Sequence, residues 1–203
     1  MNQTKIQLST DELILVQNAD MLLTKNSIIA KVYEMFGQLA TVAQAEIKNT
    51  KGLFPHEVLI HSPKISKGEN YKGLPYVILD FPRSFSKEDS FAIRTMFWWG
   101  NFFSTTLHLK GSYQQVFSKG LIKNIFILMN ADFYISMGPD EWQHDFEEVN
   151  YIPLKKLGES IIIDKFSHDP FIKLSVKLPL QQWNKANETL AGYFMLLIQA
   201  MKD

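Results

Sequence analysis

The stretch from Phe91 to Leu109 constrains the fold most. Two runs rich in aromatic, apolar and β-branched residues, Phe91 to Trp99 and Phe102 to Leu109, are separated by Gly100-Asn101, residues that accept the positive φ of a tight turn. The pattern predicts an antiparallel β-hairpin. With a two-residue turn, Trp99 faces Phe102, Phe97 faces Ser104 and Arg94 faces Leu107, and directly opposed residues share a face. Arg94 then lies with Ala92, Met96, Trp98, Phe103 and Leu107 on an almost wholly apolar surface, while Thr95, Ser104, Thr106 and His108 take the other. A three-residue loop flips this register and turns Arg94 toward water. Aromatic residues occur on both faces, so each needs a cover: helices on one side, and on the other a further element or a second subunit.

Arg83 and Arg94 are the only arginines among 21 basic residues. A guanidinium is a planar fork of donors that stacks on aromatic rings, which an ammonium cannot match. A buried arginine requires a partner, because an unpaired buried charge is strongly unfavourable. The partner is either a carboxylate of the chain, such as Asp80 or Asp132, or an anionic ligand. Arg83 follows Pro82 just past a strand end and reads most simply as a surface residue. Arg83, Arg94, Trp98 and Asp80 are therefore the candidate ligand-binding residues, for a small anionic or aromatic molecule.

The remaining elements are read from capping and periodicity. Ser9 and Glu12 form a capping box that starts a helix running to about Lys25. Asn26-Ser27 offers a fresh cap for a second helix with Ile28, Val32, Met35, Phe36, Leu39, Val42, Ala43 and Ile47 on one stripe. The Gly- and Pro-punctuated stretch from Asn49 to Leu74 reads as loop with one short strand at Glu57 to His61. Tyr76 to Phe81 is a strand ended by Pro82. Ser112 to Met129 is mostly helix, Asp132 to Met137 a strand, and Asp140 to Asn150 an acidic loop. In Phe171 to Leu178, Ile172, Leu174, Val176 and Leu178 alternate with Lys173, Ser175 and Lys177, the pattern of a strand with one wet face. A C-terminal helix carries Trp183, Leu190, Phe194, Leu197 and Met201 on one stripe. No βαβ repetition occurs. The expected fold is α+β, an antiparallel sheet packed against N-terminal, central and C-terminal helices, in a single domain over residues 1–203.

Several function classes are disfavoured. Zero formal net charge and a pI near 7.0 supply no basic field for nucleic acid or anionic lipid, and leave self-association open. The chain has no cysteine, which removes disulfides and thiolate chemistry. Residues 1–8 contain no apolar leader segment and no apolar run reaches ~18 residues; a cytoplasmic location is expected, with no nucleic-acid or membrane partner. No Gly-rich phosphate loop, dinucleotide fingerprint or nucleophile elbow is present, so no cofactor is implied. His56 and His61 are five residues apart rather than four, which turns their rings apart on a helix and to opposite faces on a strand. Asp140, His144 and Glu148 would align on a helix and offer a divalent-metal site, against the plain reading of a solvated acidic loop. Trp142, inside that loop, suits a lid or a partner contact. The leading functional expectation is a ligand-binding domain using the arginine and aromatic residues. Its alternatives are a structural protein that homodimerises through the aromatic hairpin, and a metal-dependent enzyme using residues 140–148.

Overall fold

The computed structural model describes residues 6–50 and 52–203. The reading of the first residues as lacking an apolar leader falls largely on 1–5, outside the described residues. The helices are α1 (Thr10–Gln17), α2 (Ala19–Asn49), α3 (His56–Leu59), α4 (Ser112–Lys123), α5 (Ile125–Asn130), α6 (Glu159–His168) and α7 (Ala186–Ala200). The strands are β1 (Lys64–Tyr71), β2 (Leu74–Phe85), β3 (Ser90–Trp98), β4 (Phe102–Lys110), β5 (Tyr134–Ser136), β6 (Tyr151–Pro153) and β7 (Phe171–Pro179). These strands form one sheet in the order β1-β2-β3-β4-β7-β5-β6, and every pairing is antiparallel. The fold is α+β.

Helices cover one face of the sheet. Val32, Phe36, Leu39 and Ala43 of α2 and Leu190, Phe194 and Leu197 of α7 pack in one core with the inward rows of the central strands. The β3–β4 pairing explains those rows: Phe91 lies opposite Leu109, Ile93 opposite Leu107 and Phe97 opposite Phe103. Apolar residues meet only because the loop has three residues, Trp99-Gly100-Asn101, with Trp98 opposite Phe102. Gly100 takes a φ of 73° within it, and the Asn101 N–H donates to the Trp98 carbonyl at 3.1 Å. This corrects the two-residue turn. Arg94 faces Thr106 rather than Leu107, and shares its face with Ser104, Thr106 and His108.

That second face is not wet. Residues 137–150, between β5 and β6, fold back across it without helix or strand, so Lys173 and Ser175 of β7 are each only 1% exposed. The alternation in β7 was therefore a true guide to two faces and a false guide to solvent. Most of the hairpin's aromatics are likewise covered within the chain: Phe91, Phe97, Trp98 and Phe103 are buried, and Trp99 and Phe102 half-buried.

Three boundaries differ from expectation for local reasons. The first helices break at Asn18, not at Asn26-Ser27; the Asn18 side chain accepts from the Met21 N–H at 3.1 Å, and a polar pair costs a helix interior only tenths of a kcal/mol, about 0.5 per residue. Residues His56–Leu59 form the helical turn α3 behind Pro55, with Val58 buried, where a strand was expected. Proline just ahead of a helix is favoured because its fixed φ costs nothing there. β2 continues through Pro82 to Phe85, since the ladder is irregular between Asp80 and Arg83 and a missing N–H is tolerated at such a point.

Candidate ligand site

The covered polar face is built on one row across four strands. Asp80 on β2 pairs with Arg94 on β3, Arg94 with Thr106 on β4, and Thr106 with Ser175 on β7. The Arg94 fork is held on both sides: Nε donates to Asp80 Oδ1 at 2.7 Å and Nη2 to Asp80 Oδ2 at 2.9 Å. Its Nη1 lies 3.1 Å from His144 Nε2. A guanidinium has only donors, so this nitrogen of His144 accepts and the ring proton sits on Nδ1. The Thr106 and Ser175 hydroxyls are 2.6 Å apart. Asp132, the other carboxylate considered for Arg94, instead binds Lys155 at 2.6 Å in an exposed pair.

Tyr71, at the end of β1, ties the overlying segment to the sheet. Its hydroxyl accepts from the His144 N–H at 2.7 Å and the Asp145 N–H at 3.2 Å, and donates to Asp145 Oδ2 at 3.1 Å. Burial raises the phenol's pKa. Asp145 is buried, which by itself would raise its carboxyl. Hydrogen bonds from Asn150, Lys72, the Glu147 N–H and Tyr71 outweigh that and hold it below the usual range. Lys173 supplies a second tie: its ammonium donates to the carbonyls of Glu141, at 2.9 Å, and Gln143. No carboxylate lies within ion-pair distance of it among the described residues. Burial, then the nearby Arg94 charge, lowers its pKa to about 7.

The two histidines on this face are kept neutral. Burial, with Lys173 adding to it, lowers His108 to about 4; the same causes take His144 well below its ordinary value. His108 Nε2 is 2.9 Å from Glu141 Oε2, yet neither atom has a hydrogen bond. Glu141 Oε1 binds Lys110 at 2.9 Å. The Trp142 ring has His108 at 5.7 Å, Phe85 at 6.3 Å and the Arg94 guanidinium carbon at 5.8 Å from its centre.

A cavity of about 350 Å³ opens beside this roof, lined by Tyr71, Tyr76, Asp80, Arg94, Trp142 and His144, with Lys64 and Ser66 of β1 also on its wall. Of the residues singled out from sequence, Asp80 and Arg94 meet there, joined by Trp142, read as a lid or partner contact, and by His144, read as part of a metal stripe. Trp98 does not line it. Its indole N–H donates to the Tyr71 carbonyl at 3.2 Å and its ring packs edge-on to Tyr71 at 5.1 Å, so it backs the wall. Arg83 lies on the same face opposite Ala92, outside the cavity, with its Nε buried and without a hydrogen bond.

Asp140, His144 and Glu148 are not brought together. Their segment is not helical: Asp140 accepts from the Trp142 N–H at 2.9 Å, His144 turns to Arg94 and Glu148 is exposed. Among the described residues no three His, Asp or Glu side chains form a metal-binding group. His56 and His61 are both exposed. Sequence reasoning missed Tyr71, Tyr76, His108 and Lys173. Lys173 carried a signal, since it alternates in phase with Ser175 on a strand next to the hairpin; the tyrosines carried none.

The site thus combines neutral imidazoles, an amine that titrates near neutrality, and an arginine whose charge Asp80 already balances. Among the described residues no helix is long and apolar enough to cross a membrane. Comparison with known proteins gives no match to a protein-family model, to a curated protein or to a solved structure.

Proposed function

We propose that the protein binds a small, flat, polar molecule in the cavity between Trp142 and the Asp80–Arg94 pair. One observation carries this reading: a fully oriented donor and acceptor pair opens into a space of about 350 Å³ walled by Tyr71, Tyr76 and Trp142. That volume is at the small end of ligand pockets, which run from ~300 to 1,000 Å³ and combine aromatic walls with a few fixed polar groups. Asp80 neutralises Arg94, so a bare anion gains little here. A planar ligand gains from stacking and from the guanidinium hydrogens that Asp80 and His144 leave unused.

The test is calorimetric titration with three probes: benzamide, benzoate and inorganic phosphate. Binding of either aromatic, weakened by Arg94→Lys and by Trp142→Ala, supports the reading. Phosphate binding lost in Arg94→Lys, with no response to the aromatics, would replace it with a simple anion site. An absence of binding by all three probes at millimolar concentration counts against the cavity.

A further inference from the structure

We infer that α1 and the first turns of α2 form an arm through which two copies of this chain associate. The sequence of this region is apolar in consecutive residues rather than at helical spacing. Leu13, Ile14, Leu15 and Val16 follow one another in α1, and successive residues point ~100° apart around a helix, so four cover every side. Met21, Leu22 and Leu23 repeat the pattern in α2. All seven are between 47% and 69% exposed. No residue of α1 is buried among the described residues, and α2 buries its first side chain only at Ile29.

A helix with one apolar stripe is satisfied by lying on a core; a helix apolar all round is stable only when enclosed. The arm is nevertheless preformed. Ser9 and Glu12 cap α1 reciprocally, with the Ser9 N–H donating to Glu12 at 2.7 Å, and Asn18 caps α2. Lys25 anchors the base of the arm to the sheet through Glu69 of β1. Order without enclosure is the anomaly that a partner resolves.

Area and charge select a second copy as that partner. Each of these seven side chains offers on the order of 100 Å² of apolar surface, about 700 Å² together, close to the ~800 Å² that each side of a stable interface contributes. This exceeds the ~300–600 Å² patch that monomers usually tolerate. Within residues 6–28 the charges are Asp11, Glu12, Asp20 and Lys25, an acidic balance that anionic bilayers repel and that lacks the Lys/Arg face of interfacial helices. An apolar surface complements an identical one, and a two-fold axis lets each arm bury the same facing side chains against the other. The zero formal net charge of the chain opposes association least.

Sedimentation equilibrium over a wide concentration series tests this on the whole chain. The expected result is a dimer mass for the wild type and a monomer mass for Leu15→Asp/Leu22→Asp, with unchanged circular dichroism because neither side chain is part of the core. The chain has no cysteine of its own, so pyrene attached at Val16→Cys reads arm proximity directly. Excimer emission is expected there and none from Lys119→Cys on the exposed side of α4. A monomer at every concentration would overturn the inference, as would a dimer that survives the double substitution. Flotation of the wild type with phosphatidylcholine vesicles, abolished by the same substitutions, would assign the arm to lipid instead and equally overturn it. None of these readouts depends on the ligand cavity.

Discussion

The arm and the covered sheet face invert the usual distribution of side chains in opposite ways. In the arm, leucines, isoleucine, valine and methionine stand in water on helices that are locally well capped. Under and within residues 137–150, Lys173, His108, Asp80 and Asp145 are shut away from it, and Arg94 and His144 are half-buried. Neither arrangement lowers the free energy of the isolated fold: exposed apolar surface forgoes transfer energy, and buried charge must be matched atom by atom. The difference lies in what resolves each. The polar face is resolved internally, by Asp80 against Arg94 and by backbone carbonyls against Lys173, whereas the arm has no such partner among the described residues. Substitution in one region should therefore be read in stability, and in the other in association.

The sharpest way to break that contrast is to unpair the buried arginine. Arg94→Ala leaves Asp80 buried, 7% exposed, without its two charged donors, and removing one member of a buried pair typically costs about 3–5 kcal/mol. The joint change Asp80→Leu/Arg94→Met removes both charges and should recover most of the loss in urea unfolding. A small loss in the single variant would mean that the overlying segment lets water reach the pair.

Acid comes next in size. His108 has a folded pKa of about 4 against an unfolded value of ~6.5, so between those limits the unfolded chain binds a proton that the folded chain refuses. A depressed histidine is thus fully accommodated above pH 6.5 and loses stability as pH falls below it. The His108 contribution corresponds to about 3 kcal/mol by pH 4, and His144, lowered for the same reasons, acts in the same direction. His108→Asn should flatten part of the acid slope. A wild-type melting temperature that stays level from pH 7 to 4.5 would show that neither ring is sealed.

Lys173 gives a slope on the alkaline side. Its folded pKa of about 7 lies below the ~10.4 of an unfolded lysine, so above pH 7 the unfolded chain carries the extra proton and stability rises with pH, by about 2 kcal/mol between pH 7 and 9 for a shift of this size. Lys173→Met keeps the volume and removes the charge, which should abolish that rise. It should also speed amide exchange across residues 139–147, since the carbonyls of Glu141 and Gln143 lose their donor. An unchanged exchange rate would leave Tyr71 as the tie that matters.

Much of the helix-covered face was legible. The apolar runs around Gly100-Asn101, the stripes of α2 and α7 and the alternation of β7 all follow from local rules, and even the loop length was decidable. Only the three-residue register sets Phe91, Ile93 and Phe97 against Leu109, Leu107 and Phe103. The roof was not legible. Residues 140–148 have the composition of a solvated loop, and what holds them over the sheet is a set of single long-range bonds, from Tyr71 some seventy residues earlier and from Lys173 some thirty later, that leave no periodic trace. Alternation reports that a strand has two faces, not what lies on each. Arg94 stands out by composition, whereas nothing local separates its partner Asp80 from Asp132, because the choice rests on the β2–β3 register.

The smallest stability effect separates the two regions most cleanly. Leu15→Asp and Leu22→Asp each place a charge where a leucine already meets water, and substitutions at such sites usually move stability by no more than about 0.5 kcal/mol. If the arm is the self-association surface inferred above, the protein-concentration dependence of the wild-type melting temperature should vanish in these variants, because stabilisation by a partner follows mass action and a monomer has none. At dilution the wild type and the variants should then melt together. A variant that melts well below the dilute wild type would show that the arm packs on its own sheet in solution, and the contrast between an internally resolved face and an open one would fail.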